Sequence, residues 1–161
     1  MLLLLTVATS APALGPTSNP SGLMPDLRSN AIVRVVEAQP LLRASRFTKT
    51  SDIRLLAMTC TAEAESEPKI GKILVMATLI NRAENNGTTL LTELRRPHQF
   101  PWWGRTRRII PECESLARSY VLTPTFRRVT HFHHRRIRPV WARHTRVLYA
   151  VGQHIFYQIE R

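Results

Sequence analysis

The sequence predicts an α+β fold, mainly helical, with a small β element near its C-terminal end. Three observations carry this. Apolar residues recur with a helical period over residues 51–64 and again over 68–85, and each run is bounded by Ser, Asp, Pro or Asn-Gly. Pro111 opens another helical run through about Leu122. Beyond residue 129 the pattern shortens to β-type segments, with alternation in Thr130-His131-Phe132-His133-His134. A length of 161 residues with 43% apolar composition accommodates one domain of ordinary size and a tail.

Residues 1–50 read as that tail. The start carries a short apolar run, Leu2 to Leu5, and a small-x-small site at Ala11-Pro12-Ala13. Both are parts of a secretory signal, although a basic n-region is missing. The alternative is a flexible or partner-bound tail. Pro, Ser, Gly and Asn dominate residues 15–26, a linker composition. Residues 29–38 can form a short helix capped by Ser29 or Asn30 and ended by Pro40. No apolar run reaches the roughly 18 residues of a membrane-spanning helix.

The compact domain is expected over residues 51–161. Ser51 or Asp52 is a suitable N-cap for a first helix running to about Ala64. Ile53, Leu56, Ala57 and Cys60 form its apolar stripe, and Glu63 is the next position in the same phase. The second helix starts at Pro68 and carries Ile70, Ile73, Leu74, Ala77 and Ile80 on one stripe. Asn85-Asn86-Gly87 supplies C-cap chemistry. A short third helix spans about Thr89 to Arg95, before Pro97. Residues 97–110 form an aromatic, basic loop, and the fourth helix follows. The remainder reads as a strand over Val129–His134, a basic crossing through Trp141 and a strand over His154–Gln158.

Charge narrows the choice of partner. With 23 Lys+Arg against 11 Asp+Glu the net charge is +12, which favours a polyanion such as nucleic acid or an acidic cell wall. The arginines are scattered, so an arginine-rich solvated surface explains them equally well. The acids are more restrictive. Beyond Glu114 the only one is Glu160, so chemistry that needs carboxylates from both halves of a fold is hard to build.

Glu63 is the sharpest catalytic candidate. A carboxyl on an apolar stripe is disfavoured in its charged form, and a carboxylic acid still protonated near neutral pH can serve as a general acid. Glu65 and Glu67 crowd the same turn and would add like charge if they lie close. His131 and His133 share a strand face and begin a metal site if His144 or His154 supplies a third ligand. Aromatic packing and hydrogen bonding in a groove are favoured over that reading, because no HExxH-type spacing occurs. Cys60 reads as core. Cys113 lies in a first helical turn, where a thiolate would be favoured, but no Cys-His hydrolase motif surrounds it. Whether the two cysteines pair is left open. Aromatics interleaved with Arg and His in the second half can stack on bases or sugar rings.

These residues together resemble a known family. Leu56-Ala57 followed by Glu63-Ala64-Glu65-Ser66-Glu67-Pro68 is similar to the helix end of cell-wall hydrolases of the spore-cortex-lytic (SleB) type. Gly71 and Asn81-Arg82 resemble the helix that closes with "NR", and Gln99-Phe100 its "QF" segment. Thr130-His131-Phe132-His133, Pro139 and Trp141 resemble its aromatic strand. Gly152-Gln153-His154-Ile155-Phe156-Tyr157 resembles its closing motif. Ser66 and His134 depart from the family pattern, as does the arginine-rich stretch before Pro111.

The resemblance implies a lysozyme-like transglycosylase fold around a glycan groove and cleavage between N-acetylmuramic acid and N-acetylglucosamine. It places Glu63 at the catalytic glutamate, with Glu67 as a second acid or a supporting partner. Gln99, Phe100, Phe132, His133, Trp141 and Tyr157 are the substrate-groove candidates. Phe132 and Trp141 are assigned to sugar stacking, and His133 to an acetamido hydrogen bond. The carboxylate shortage independently favours a one-glutamate lytic transglycosylase over a two-carboxylate glycosidase. Expected partners are peptidoglycan strands and acidic wall polymers, with no cofactor, metal or specific nucleic acid called for. The expected location is the periplasm or cell wall, for a bacterial or a phage lytic enzyme. A zinc-dependent amidase or peptidase using the histidines, and a basic nucleic-acid-binding module, are the alternatives.

Overall fold

The computed structural model describes residues 44–105 and 108–159. The signal-like start, the linker and the expected helix over 29–38 lie outside the described residues. Four α-helices come first: α1 (Thr50–Ala64), α2 (Lys69–Asn85), α3 (Leu90–Leu94) and α4 (Pro111–Leu122). Strand β1 (His131–His134) follows, then a 3-10 turn over Val140–His144, then β2 (Val147–Val151) and β3 (His154–Tyr157). The three strands form one antiparallel sheet in the order β1-β3-β2.

The expected helices form where the sequence places them, with local differences. The N-cap of α1 is Lys49, with no side-chain cap, rather than Ser51 or Asp52. Asp52 lies inside the first turn instead, where its charge opposes the positive end of the helix dipole. Pro68 is the N-cap of α2 rather than its first helical residue. The end of α2 is a Schellman motif: the Thr88 amide donates to Ala83 O at 2.9 Å and the Gly87 amide to Glu84 O at 3.2 Å. Gly87 takes φ 63°, which the closure requires. Thr89 caps α3 by accepting from the Thr92 amide. Pro111 opens α4, with Glu112 and Glu114 in the first turn.

Helix α2 is buried on nearly every side from Leu74 to Ala83, not along one stripe. It is the central helix. One apolar cluster joins Leu56, Ala57 and Cys60 of α1 to Met76, Ile80, Leu116 and Tyr120 on the helical side. A second joins Ala64, Leu74 and Val75 to Val129, Val151 and Phe156 on the sheet side. The compact part also reaches back before Ser51. Phe47 is buried in the first cluster, and the Ser45 amide donates to Val121 O at 2.9 Å.

Strand β2 is a correction to the sequence reading, which ran straight from the basic crossing to β3. Val147–Val151 pairs with β3 through a two-residue turn at Gly152-Gln153. Because β1 and β2 both lie antiparallel to β3, they run parallel to each other. Residues 135–146 must therefore travel back along the sheet to connect them.

Cys60 of α1 and Cys113 of α4 form a disulfide, with Cα atoms 5.7 Å apart. This ends the reading of Cys113 as a nucleophilic thiolate, because its sulfur is bonded and fully buried. The bond closes a loop of 53 residues' separation that contains all of α2 and α3. Reducing it should lower stability by about 2–4 kcal/mol. Urea unfolding with and without dithiothreitol reads this as a shifted midpoint, and coincident curves would contradict it.

Candidate active site

Glu63 stands in the last turn of α1, next to Ala64, which is buried in the core cluster against the sheet. It is partly buried, and desolvation alone raises its pKa from 4.5 to about 7. Neither Glu65 nor Glu67 contributes to that shift, so the expected like-charge crowding does not operate. No basic residue occupies the last turn of α1 to offset the helix dipole. The result is a carboxyl that holds its proton near neutral pH with a face open to solvent.

A cleft of about 410 Å³ lies between α2, the loop after α3 and the sheet. Gln99, Phe132, His133 and Trp141, four of the groove candidates, line it with Thr78, Arg82, His98 and Pro139. Glu63 and Glu67 are not among its lining residues. Trp141 is 38% exposed and offers a ring face. Its ring lies 5.4 Å from those of His131 and Tyr157 and 5.7 Å from that of His133. Gln99 accepts from Arg82 through Oε1, so its Nε2 hydrogens remain as donors.

Two groove candidates, Phe100 and Tyr157, lie outside the cleft lining, and His133 lines it with its ring already hydrogen-bonded. Phe100 is in the helical core, edge-on to Trp102, because the loop folds its ring under α2 and α3. Tyr157 is buried behind His133, stacked on it at 5.3 Å, with its hydroxyl 2.8 Å from His133 Nε2. His133 Nδ1 is 2.9 Å from the His134 carbonyl, so both ring nitrogens are engaged. His133 orients the aromatic wall and has no free nitrogen for an acetamido group.

Glu67 is buried in the turn between α1 and α2. Both its carboxylate oxygens accept from the Gln153 amide at 3.0 Å, at the tip of the β2–β3 hairpin. A Cβ at Gly152 would overlap Oε2 of Glu67, and Gly152 also takes φ 54°. His154 Nδ1 lies 3.4 Å from Glu67 Oε1. Burial lowers the His154 pKa, with the Glu67 charge acting in the opposite direction. Glu67 therefore latches the sheet to the helices.

The family description cell wall hydrolase matches residues 66–157, more than half of the chain. The chain belongs to the cell wall hydrolase family. In structure it is similar to the catalytic domain of the Bacillus cereus SleB protein, with a TM-score of 0.62 and 18% identity. That likeness covers 71% of this chain and 95% of the SleB domain and shows the lysozyme-like fold. No curated protein sequence matches the chain significantly. As a cell wall hydrolase the chain is a peptidoglycan-degrading enzyme. The matched span begins just after Glu63, so the case for Glu63 stands on the phase of α1 and its desolvated carboxyl.

Two further groups shape the cleft of this cell wall hydrolase. Asn81 Nδ2 donates to the carbonyls of Phe126 and Val129 at 2.7 Å and so pins the approach to β1. Arg82 donates to Gln99 and lies 3.4 Å from Glu93. Glu93 is fully buried. Burial opposes its charge, but hydrogen bonds from Thr88 and Asn86 and the charges of Arg96 and Arg82 hold its pKa below the usual range. The sequence marked Asn81-Arg82 only as a motif, and nothing in it singled out Glu93. The histidines do not assemble as a metal site. His154 faces Glu67 across the sheet from His131 and His133, and no three His, Cys, Asp or Glu converge among the described residues.

Two outcomes follow from this geometry. Gly152→Ala should destabilise the protein by roughly 2–4 kcal/mol, since it strains φ and pushes Glu67 off Gln153; thermal unfolding that matches the parent would contradict the latch. For Glu63 the folded pKa lies above the unfolded one, so the folded state binds the extra proton and loses stability as pH rises from about 4.5 to about 7. Glu63→Gln should therefore stabilise the protein at pH 8, by roughly 1–3 kcal/mol, and change little at pH 4. Equal gains at both pH values would show that Glu63 is not desolvated.

Proposed function

We propose that this cell wall hydrolase is a lytic transglycosylase that cleaves the bond from N-acetylmuramic acid to N-acetylglucosamine with Glu63 as its single acid/base. The carrying observation is the Glu63 carboxyl, raised to about pKa 7 by desolvation without a charged partner. Protonated Glu63 donates to the glycosidic oxygen as the C1–O bond breaks. The carboxylate so formed takes the proton from the muramic C6 hydroxyl, and O6 closes on C1. The products are a 1,6-anhydromuramic end and a free hydroxyl on the leaving sugar. No activated water and no second carboxylate are used. Glu67 supports this assignment, since its two oxygens are committed to Gln153, which leaves it a supporting role rather than that of a second acid.

In this reading Trp141 is the stacking platform for a sugar ring. Gln99 Nε2 takes over the acetamido contact once assigned to His133. The disulfide fits an oxidising, extracytoplasmic location. We assign residues 1–22 to export on the same ground, with a phage lysis enzyme as the other setting. The +12 charge then serves attraction to an acidic wall.

Glu63→Gln should cut lysis of purified peptidoglycan by roughly a hundredfold or more with the fold intact. The parent's rate should fall as pH rises through about 7, because the protonated form is lost. Mass spectrometry of the digest should show anhydromuramic ends. Reducing muramic ends would replace the transglycosylase with a hydrolase, and a fully active Glu63→Gln would move the acid elsewhere.

A further inference from the structure

The crossover between β1 and β2 has two sides. Its inner side is Trp141, whose ring meets those of His131, His133 and Tyr157, and Ala142, which is buried. Its start is fixed to the sheet: the Arg135 amide donates to Gln153 O at 2.7 Å and the Ile137 amide to His134 O at 2.9 Å. The outer side is left to solvent. Ile137 is 62% exposed, Val140 74% and Val147 49%. Arg135, Arg136, Arg138, Arg143 and Arg146 alternate with them along the chain up to Val147 at the start of β2, and all are exposed. Among the described residues none of these arginines forms an ion pair with a carboxylate. The chain holds no acid at all between Glu114 and Glu160.

We propose that this outer side docks the enzyme on an anionic phospholipid surface. Two features choose lipid over other polyanions. A wall polymer or a nucleic acid would use the arginines, but it gains nothing from Ile137, Val140 and Val147, which present branched aliphatic groups and no ring face. The tryptophan of the crossover is turned inward to the cleft. A lipid interface satisfies both halves of the patch. Phosphate headgroups meet the guanidinium groups, and the aliphatic side chains enter the headgroup–acyl boundary. The patch needs no long apolar helix, and among the described residues no helix is long and apolar enough to cross a membrane. Docking there would hold the enzyme against a membrane while the cleft, on the inner side of the same crossover, stays clear.

Full-length protein and two variants separate the possibilities: Ile137→Ser with Val140→Ser, and Arg136→Glu with Arg143→Glu. All four side chains are exposed, so the fold should be retained, which urea unfolding checks. Co-sedimentation with vesicles containing phosphatidylglycerol should show binding by the parent that phosphatidylcholine vesicles do not. Each variant should bind the anionic vesicles about tenfold or more weakly. Activity on soluble glycan fragments should be unchanged in both. No vesicle binding by the parent, or equal binding by all three proteins, would overturn the proposal. Loss in the arginine variant with full binding by the Ile137/Val140 variant would also overturn it and make the patch a site for soluble polyanions.

Discussion

The two oxygens of Glu67 on the Gln153 amide hold together two halves of a domain that have little else in common chemically. Helices α1 and α2 meet in the turn that carries Glu67, and β2 and β3 meet in the turn that carries Gly152 and Gln153. A buried carboxylate must be satisfied by donors, and here the donor is backbone, so the contact fixes chain position rather than side-chain choice. Gly152 is required because a Cβ would occupy the space of Oε2. Gly71 is close for the same reason, with its Cβ position 3.2 Å from that of Glu67. With this latch closed, β3 is placed against α2. Strand β1 follows from its pairing with β3, and the aromatic wall of the cleft follows from β1.

The carboxylate proposed for catalysis and the structural ones are separated by their surroundings. Among the described residues no donor bonds Glu63, and desolvation raises its pKa to about 7. Glu67 and Glu93 are deeply buried but hydrogen-bonded, Glu67 by the Gln153 amide and Glu93 by Thr88 and Asn86. The same side chain is desolvated without a donor in one place and hydrogen-bonded in the others, and the difference is whether donors replace the lost water. Among these three buried or partly buried glutamates, the one without a hydrogen-bond donor is the one suited to proton transfer.

The crossover serves two neighbours at once. Its inward tryptophan completes the aromatic cluster of Trp141, His131, His133 and Tyr157. Its outward arginines and aliphatic residues share the same short stretch. A segment pinned at the start of its path and buried through one ring can carry an unusual surface without loss of register, because the sheet beneath supplies the order.

The helical half was legible from residues alone. Prolines, Asn-Gly and the apolar period locate α1, α2 and α4 to within a residue or two, since these signals act through local backbone sterics and one buried face. Glu63 was legible for the same reason: a carboxylate in the phase of a stripe is visible by counting. The sheet was only half legible. Strand β1 shows its alternation, whereas Val147–Val151 has none that separates it from a loop and becomes a strand through pairing with β3 and the turn at Gly152. Phe100, Tyr157 and His133 were read as groove residues because aromatics and histidines suit sugars. Tertiary packing places Phe100 in the core and Tyr157 behind His133, which lines the cleft with its ring already engaged, since ring position depends on neighbours distant in sequence. The Cys60–Cys113 bond and the donors around Glu67 and Glu93 were decided in the same way. The sequence by itself determined which segments are helical and which carboxylate is out of place. Only the tertiary structure decided which polar groups are satisfied, because satisfaction is a property of partners that chain spacing does not specify.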